Sequence, residues 1–357
     1  MKSLPGGVAG NIAADLALLK NLVATSVERV SLISVVGNDT AGETMVEALR
    51  SVGVDVCGVG VVNGGRTPCV VAVLNNNGDV SASIADVELV EKHLQYDLLV
   101  QWSEALSSAS VVVMDGDLSP DGLEAVCQMV KRQSPKESKK KTILWFEPAA
   151  PDKAGRISGL LPWVDYISPN VDELKTLTKT LLQSRSLSMP TDCLKKSKAL
   201  KVLDEFESTL PRPLLDSLTM VCFVLEAGVE YILLTLGEHG AALCHKHDVI
   251  NEMSSVSILY APALPAMVKN CSGGGDSLVA GFVHALVNGT KDNETCLQWG
   301  IVIAKLAVES STNWASLQGI PNYQDLHNLA SFVRVQKFKI PLCCYCPSCL
   351  GVEAMGL

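Results

Sequence analysis

No stretch of the 357 residues approaches the ~18 uninterrupted apolar positions of a membrane-crossing helix, so no span is expected. Basic charge is also short. Only 29 Lys and Arg stand against 38 Asp and Glu, a net charge of -9. Nucleic acid as the main partner calls for a basic face, which this balance argues against. It leaves room for an anionic small molecule, which needs only a local positive site. The opening Met1-Lys2-Ser3-Leu4-Pro5-Gly6-Gly7 lacks the apolar stretch of a secretory leader. A cytoplasmic location is therefore expected. The 12 cysteines lack a framework spacing. Those from Cys57 to Cys296 are scattered through apolar segments and read as free thiols of a reducing compartment. No internal repeat is visible.

What is present suits an enzyme. Hydrophobic residues make up 48% and charged ones 19%, enough for a sizeable core. Ile12, Leu16 and Leu19 recur at helical spacing directly after Gly6-Gly7. Val30 to Val36 reads as a buried strand stopped by Gly37-Asn38-Asp39, and Thr40 to Val52 as a helix closed by Gly53. Val54–Val62, Pro68–Leu74 and Val80–Ile84 are strand-like. Asn75 to Asp79 is a hairpin turn, because its residues tolerate positive φ. Short strands (111–114, 142–146, 166–167, 231–236) then alternate with helices (121–132, 171–182). That order predicts a mostly parallel sheet covered by helices on both faces, with a small β-rich lid over about 60–86. The six basic residues between Lys131 and Lys141 read as a solvated loop. Residues 183–220 read as surface helices and loops.

Ser272-Gly273-Gly274-Gly275-Asp276 precedes a helical run. Glycines opening a helix leave backbone N–H groups free, and these bind phosphate together with the positive end of the helix dipole. An aspartate directly after them is poorly placed to hold an anion. It is well placed to take a proton from a hydroxyl attacking a phosphorus. A flexible loop with a helix-capping Asp is the plainer alternative. Asn170 and Glu173 likewise have the spacing of a helix capping box.

Taken together, these segments resemble the ribokinase-like (PfkB) carbohydrate kinases. Asn270 to Asp276 is similar to the family's Asp-Thr-x-Gly-Ala-Gly-Asp signature, with Asn270 in place of the first acid. Gly6-Gly7-x-x-x-Asn11, Gly37-x-Asp39-x-x-Gly42, Asn170-x-x-Glu173 and Thr235-x-Gly237-x-x-Gly240 resemble its other motifs, in the same order. The resemblance runs from Pro5 to about Leu317. It implies a ribokinase-like three-layer α/β sandwich, and ATP with Mg²⁺ as cofactors. A monovalent cation is compatible with it, although the uncharged Asn270 weakens that expectation. It implies Asp276 as base, with Gly273, Gly274 and Gly275 around the transferred phosphoryl group. Gly6, Gly7, Asn11, Asp39, Thr67 and Asp86 are implied on the substrate. Asn170, Thr235, Gly237, Gly240, Ser272 and Gly273 fall on the nucleotide, and Glu173 on Mg²⁺ through water.

Within the family, Pro5–Ala13, Gly78–Asp86, Trp145–Pro148 and Ile167–Leu174 most resemble pseudouridine kinases. The implied reaction turns a nucleoside or sugar, pseudouridine first, into its 5′-phosphate. A homodimer, and a fused or partner pseudouridine-phosphate glycosidase in a longer form, are compatible with the resemblance. Family members carry a strand upstream of the Gly-Gly motif, and here only five residues precede Gly6. The kinase domain is expected over 1–335 and a disordered, Cys-rich tail over 336–357. In that tail Cys346-x-x-Cys349 lacks the histidine or second pair of a zinc site. The competing expectation is a non-catalytic kinase-fold fragment or splice form that binds ligand or a partner without turnover.

Overall fold

Gly7, with φ +89°, turns the entering chain into α1 (Val8–Leu22), whose buried face includes Ile12 and Leu19. The computed structural model describes residues 4–22, 29–74, 80–132, 141–185, 209–247, 255–290, 292–317, 320 and 322–341. After α1 come β1 (Ser31–Gly37), α2 (Thr40–Ser51), β2 (Asp55–Val62), β3 (Cys69–Leu74) and β4 (Val80–Asp86). Short helical turns between Glu88 and Ser108 lead to β5 (Val111–Asp115), α3 (Pro120–Arg132) and β6 (Ile143–Glu147). Beyond a 3-10 run lie β7 (Tyr166–Ile167), α4 (Val171–Ser184), α5 (Arg212–Glu226), β8 (Tyr231–Thr235), β9 (Ala241–His247) and β10 (Ser255–Ala261). The chain continues through α6 (Gly274–Val287), α7 (Asn293–Val308), α8 (Tyr323–Ser331) and β11 (Gln336–Pro341).

The main sheet has seven strands in the order β11-β10-β9-β8-β7-β6-β5. From β5 to β8 the pairing is parallel, as the alternation of strands and helices implied. From β8 to β11 it is antiparallel, so the sheet as a whole is mixed. From β8 to β10 the reversals follow from chain length, whereas β11 returns to β10 only after α6, α7 and α8. A short link can join antiparallel neighbours, whereas a parallel crossover needs a dozen or more residues.

Alternate residues of each strand serve opposite faces. Leu144 and Phe146 of β6 join a core with α3, α4 and α5, while Trp145 between them joins a second core with α1, α6, α7 and α8. Each fully buried Leu or Phe contributes about 1.5–3 kcal/mol. Helix α5 corrects the expectation for 183–220, because Leu214, Leu218, Val221 and Leu225 lie in the first core. Residues 186–208 of that stretch, and the Asn75–Asp79 turn, lie outside the described residues.

Strands β1 and β2 form a separate parallel pair, and β3 and β4 a separate antiparallel pair. The latter places the expected lid strands side by side, with Val70 and Ile84 exposed. No ladder joins β1 to β5 among the described residues, and α1 packs against both. At the other end, the expected tail opens with an edge strand. In β11, Phe338 and Ile340 pack inward while Lys337 and Lys339 face solvent. The cysteines of 343–349 lie outside the described residues.

Candidate active site

The parallel strands end on a row of polar residues, the edge at which open α/β sheets form their ligand crevice. Asp115 closes β5, Glu147 closes β6, Ser168 and Asn170 follow β7, and Thr235 closes β8. The N-terminal turns of α1 and α6 meet these ends. Ala9 N donates to Asp115 Oδ2 at 3.3 Å, and Asn11 Nδ2 donates to Asp276 Oδ2 at 2.7 Å.

Helix α6 starts as its glycines suggest. Gly273 is the N-cap with φ +83°, and a Cβ there would lie 2.0 Å from Asn313 O, so only glycine fits. A Cβ on Gly275 would meet nothing within 4 Å, so this turn faces open space. Ser277 N donates to Gly273 O, leaving the Gly275 and Asp276 amides ahead of the helical ladder. The loop's anchor is Asn270, whose Oδ1 accepts from Ser272 N at 3.0 Å. Its Nδ2 donates to Asn313 Oδ1 at 3.0 Å and to Thr312 O at 3.3 Å. Asn313 Nδ2 reaches back to Pro5 O at 2.9 Å, tying the anchor to the Gly6-Gly7 loop.

Burial governs the acids. Asp276 is pushed up to about 6, with the Asn11 hydrogen bond pulling the other way. Glu173 also rises to about 6 through burial, against the Asn170 amide that donates to it. Glu147 is held well above the carboxylate range by burial, and then by the charges of Asp276, Glu173 and Asp115. Ser168 Oγ donates to Glu147, and Trp145 Nε1 donates to Ser168 Oγ at 2.6 Å. Asp115 rises through burial and the nearby Asp117, whose partner is Lys153.

The capping-box reading of Asn170 and Glu173 holds. Asn170 Oδ1 accepts from the Asp172 and Glu173 amides, and Glu173 Oε2 accepts from Asn170 N, a complete capping box. Asn170 also bridges to Thr235, so these two expected residues are neighbours. The 3-10 turn after β8 (Gly237–His239) opens on Gly237 (φ +58°) and is capped by Gly240 (φ +94°), where a Cβ would lie 2.1 Å from Ala261 O.

The expected substrate residues divide. Asn11 joins Asp276, while Gly6 lies against Asn313, which backs Gly273. Asp39 and Thr67 instead bind each other, with Thr67 two residues before β3. Asp39 Oδ2 accepts from Thr67 N at 2.9 Å, and Oδ1 accepts from Thr67 Oγ1 and from Gly42 N, capping α2. Asp86 is exposed at the end of β4, opposite Cys69. No contact joins these three to Asp276 among the described residues. Sequence reasoning gave no role to Asp15, Asp115, Glu147, Ser168 or Asn313. Two of them had a signal, since Asp115-Gly116 and Glu147-Pro148 each put an acid at the exit of an apolar strand.

Residues 1–318 match the pfkB family carbohydrate kinases. The chain belongs to this family. A pseudouridine kinase of Arabidopsis thaliana is 30% identical over 280 residues, covering 69% of this chain and 69% of its own. One of Escherichia coli strain K12 is 23% identical over 289 residues, covering 81% and 75%. The solved structure of an A. thaliana ribokinase complexed with ribose and ATP superposes with a TM-score of 0.66 at 22% identity, over 93% of this chain and 89% of that one. As a pfkB carbohydrate kinase the chain is an ATP-dependent phosphotransferase of the sugar and nucleoside class, and the family uses ATP with Mg²⁺.

The residues fit that cofactor pair. The α6 terminus offers amide donors in open space, and Glu173 keeps one carboxylate oxygen outside its capping box. A monovalent cation near Asn270 fits poorly, because the Asn270 N–H already occupies the oxygens of Thr312 and Asn313.

Proposed function

We propose that this pfkB kinase phosphorylates the primary hydroxyl of a nucleoside, pseudouridine foremost, with Asp276 as the base. The observation that carries the reading is the divided side chain of Asn11. Its Nδ2 holds Asp276, while its buried Oδ1 has no hydrogen-bond partner. A buried acceptor without a donor is costly, and a substrate O–H beside the base supplies the missing donor.

Asp276, ionised above pH ~6, takes the proton of that hydroxyl. Bound ATP with Mg²⁺ supplies the phosphoryl group and neutralises charge on its oxygens. The Gly275 and Asp276 amides, left free ahead of the helical ladder, would donate to phosphate oxygens as negative charge develops. Glu173 and Asn170 would hold water around the metal. The strands β3 and β4, rooted by Asp39 and Thr67, close over the sugar and exclude water.

Pseudouridine is supported by the two pseudouridine kinases among the relatives and by the subfamily-like segments around Asp86 and Glu147. The edges of β1 and β5, which no ladder joins among the described residues, favour a second reading, a protein that binds ligand without turnover. ADP release measured over pseudouridine, uridine, adenosine, ribose and fructose 6-phosphate separates them. Pseudouridine should have the highest kcat/KM. A preference for a free sugar would move the substrate elsewhere, and ligand binding without ADP release would favour the second reading.

A further inference from the structure

Asp15 is fully buried, yet no cation pairs with it among the described residues. Its neighbours on the same side of α1 are Asn11, Ile12 and Leu19, all buried. A carboxylate in such a place is unfavourable unless its oxygens are bonded, and both are. Oδ2 accepts from Ser277 Oγ at 2.5 Å, and Oδ1 accepts from Ala315 N at 2.7 Å. Asn11 and Asp15 lie one turn apart on α1, so they project on the same side. The residues they bind, Asp276 and Ser277, are consecutive in the first turn of α6. The segment ending at Ala315 also carries Asn313, against which Gly273 is packed.

We propose that Asp15 is a positioning residue for phosphoryl transfer, bracing the first turn of α6 so that Asp276 and the Gly273–Gly275 amides keep their places relative to the substrate loop on α1. The inference rests on Asp276 being the base. Asn11 grips the base directly. Asp15 grips the residue behind it and the strand of chain that backs the glycine loop. Without Asp15, α6 remains a helix, but its first turn has one side-chain tether to α1 rather than two. Small misplacements of a base or of anion donors reduce the rate of the chemical step more than substrate affinity.

The test compares wild type, Asp15→Ala, Asp15→Asn, Ser277→Ala, Asp15→Ala/Ser277→Ala and Asp276→Asn in the full chain. Two readouts are used: steady-state kinetics with pseudouridine and ATP, and amide hydrogen exchange without ligand. Asp15→Ala should lower kcat about 100-fold with both KM values within about threefold, and Asp15→Asn, which keeps one acceptor, should recover about tenfold. The double variant should be no slower than Asp15→Ala, because the two side chains act as one contact. Exchange should rise in 274–279 and at Ala315, and stay unchanged in α4. Raised KM at normal kcat, additive single effects, or unchanged exchange would each overturn the proposal. The exchange result holds whether or not the chain turns over, and Asp15→Asn serves if Asp15→Ala does not fold. Near-normal turnover in Asp276→Asn overturns the base assignment instead.

Discussion

Asn11 Nδ2 lies 2.7 Å from Asp276 Oδ2, a hydrogen bond between residues 265 positions apart in sequence. It joins the helix after the Gly6-Gly7 loop to the helix after the glycine anion loop, and so brings the proposed substrate side and phosphate side to one point. Replacing Asp276 with Asn keeps the size and removes the base. Turnover should fall by at least ~10²-fold while ATP affinity, read by calorimetry, changes little. Asn11→Ala should lower kcat and raise the KM of the nucleoside together, because the same side chain orients the base and offers Oδ1 to the substrate.

Burial lifts the Asp276 carboxyl from 3.8 to about 6. A base must be ionised to accept a proton, so kcat/KM should be flat above that value. Below it, activity should fall about tenfold per pH unit. A profile that stays flat down to pH 4.5 would remove Asp276 from the titrating role.

Stability without ligand should run the opposite way. Asp15 rises from 3.8 to about 7 and Glu173 from 4.5 to about 6, each chiefly through burial. Between the unfolded and folded values the native state binds more protons than the unfolded chain. Stability is therefore fully present below about pH 4 for these groups and is lost as pH rises through 6 to 7. Melting temperature followed from pH 5 to pH 7.5 should decline. Asp15→Asn should flatten that decline, and a rising curve would contradict the burial of these acids.

Asn270 places an amide N–H on the oxygens of Thr312 and Asn313. Turnover should therefore be the same within about twofold in potassium, sodium and choline chloride at one ionic strength, which keeps screening constant. Asn270→Asp replaces that donor with a carboxylate and should introduce a dependence on the monovalent ion.

Much of the fold was legible because its signals are local. The 3.6-residue spacing of α1, the Gly37-Asn38-Asp39 stop and the β-branched runs of β5 to β8 each depend on a handful of neighbours. The antiparallel half of the sheet was less legible. Ala241–His247 and Ser255–Ala261 are apolar runs with no strict alternation, and pairing decides what they become. Helix α5 reads as surface in the sequence because its charged start and its proline-containing flank are local, whereas the core that Val221 and Leu225 enter is made by distant strands. Asp39 and Thr67 show the same limit, since their bond spans 28 positions and no spacing rule relates them.

The sequence alone determined that a glycine-capped helix terminus carries an aspartate at its start, because positive φ at Gly273 and free amides in a first turn are properties of a few adjacent residues. It also determined the Asn170–Glu173 capping box, for the same local reason. Only the tertiary structure decided which distant groups surround them. The partner of Asp276 comes from α1, and the acids Asp115 and Glu147 come from the ends of two other strands. The contacts of Asp15 come from α6 and from the chain before Ala315. Burial by these elements, rather than any local pattern, is what lifts the acids toward neutrality, because desolvation depends on every atom packed around a charge.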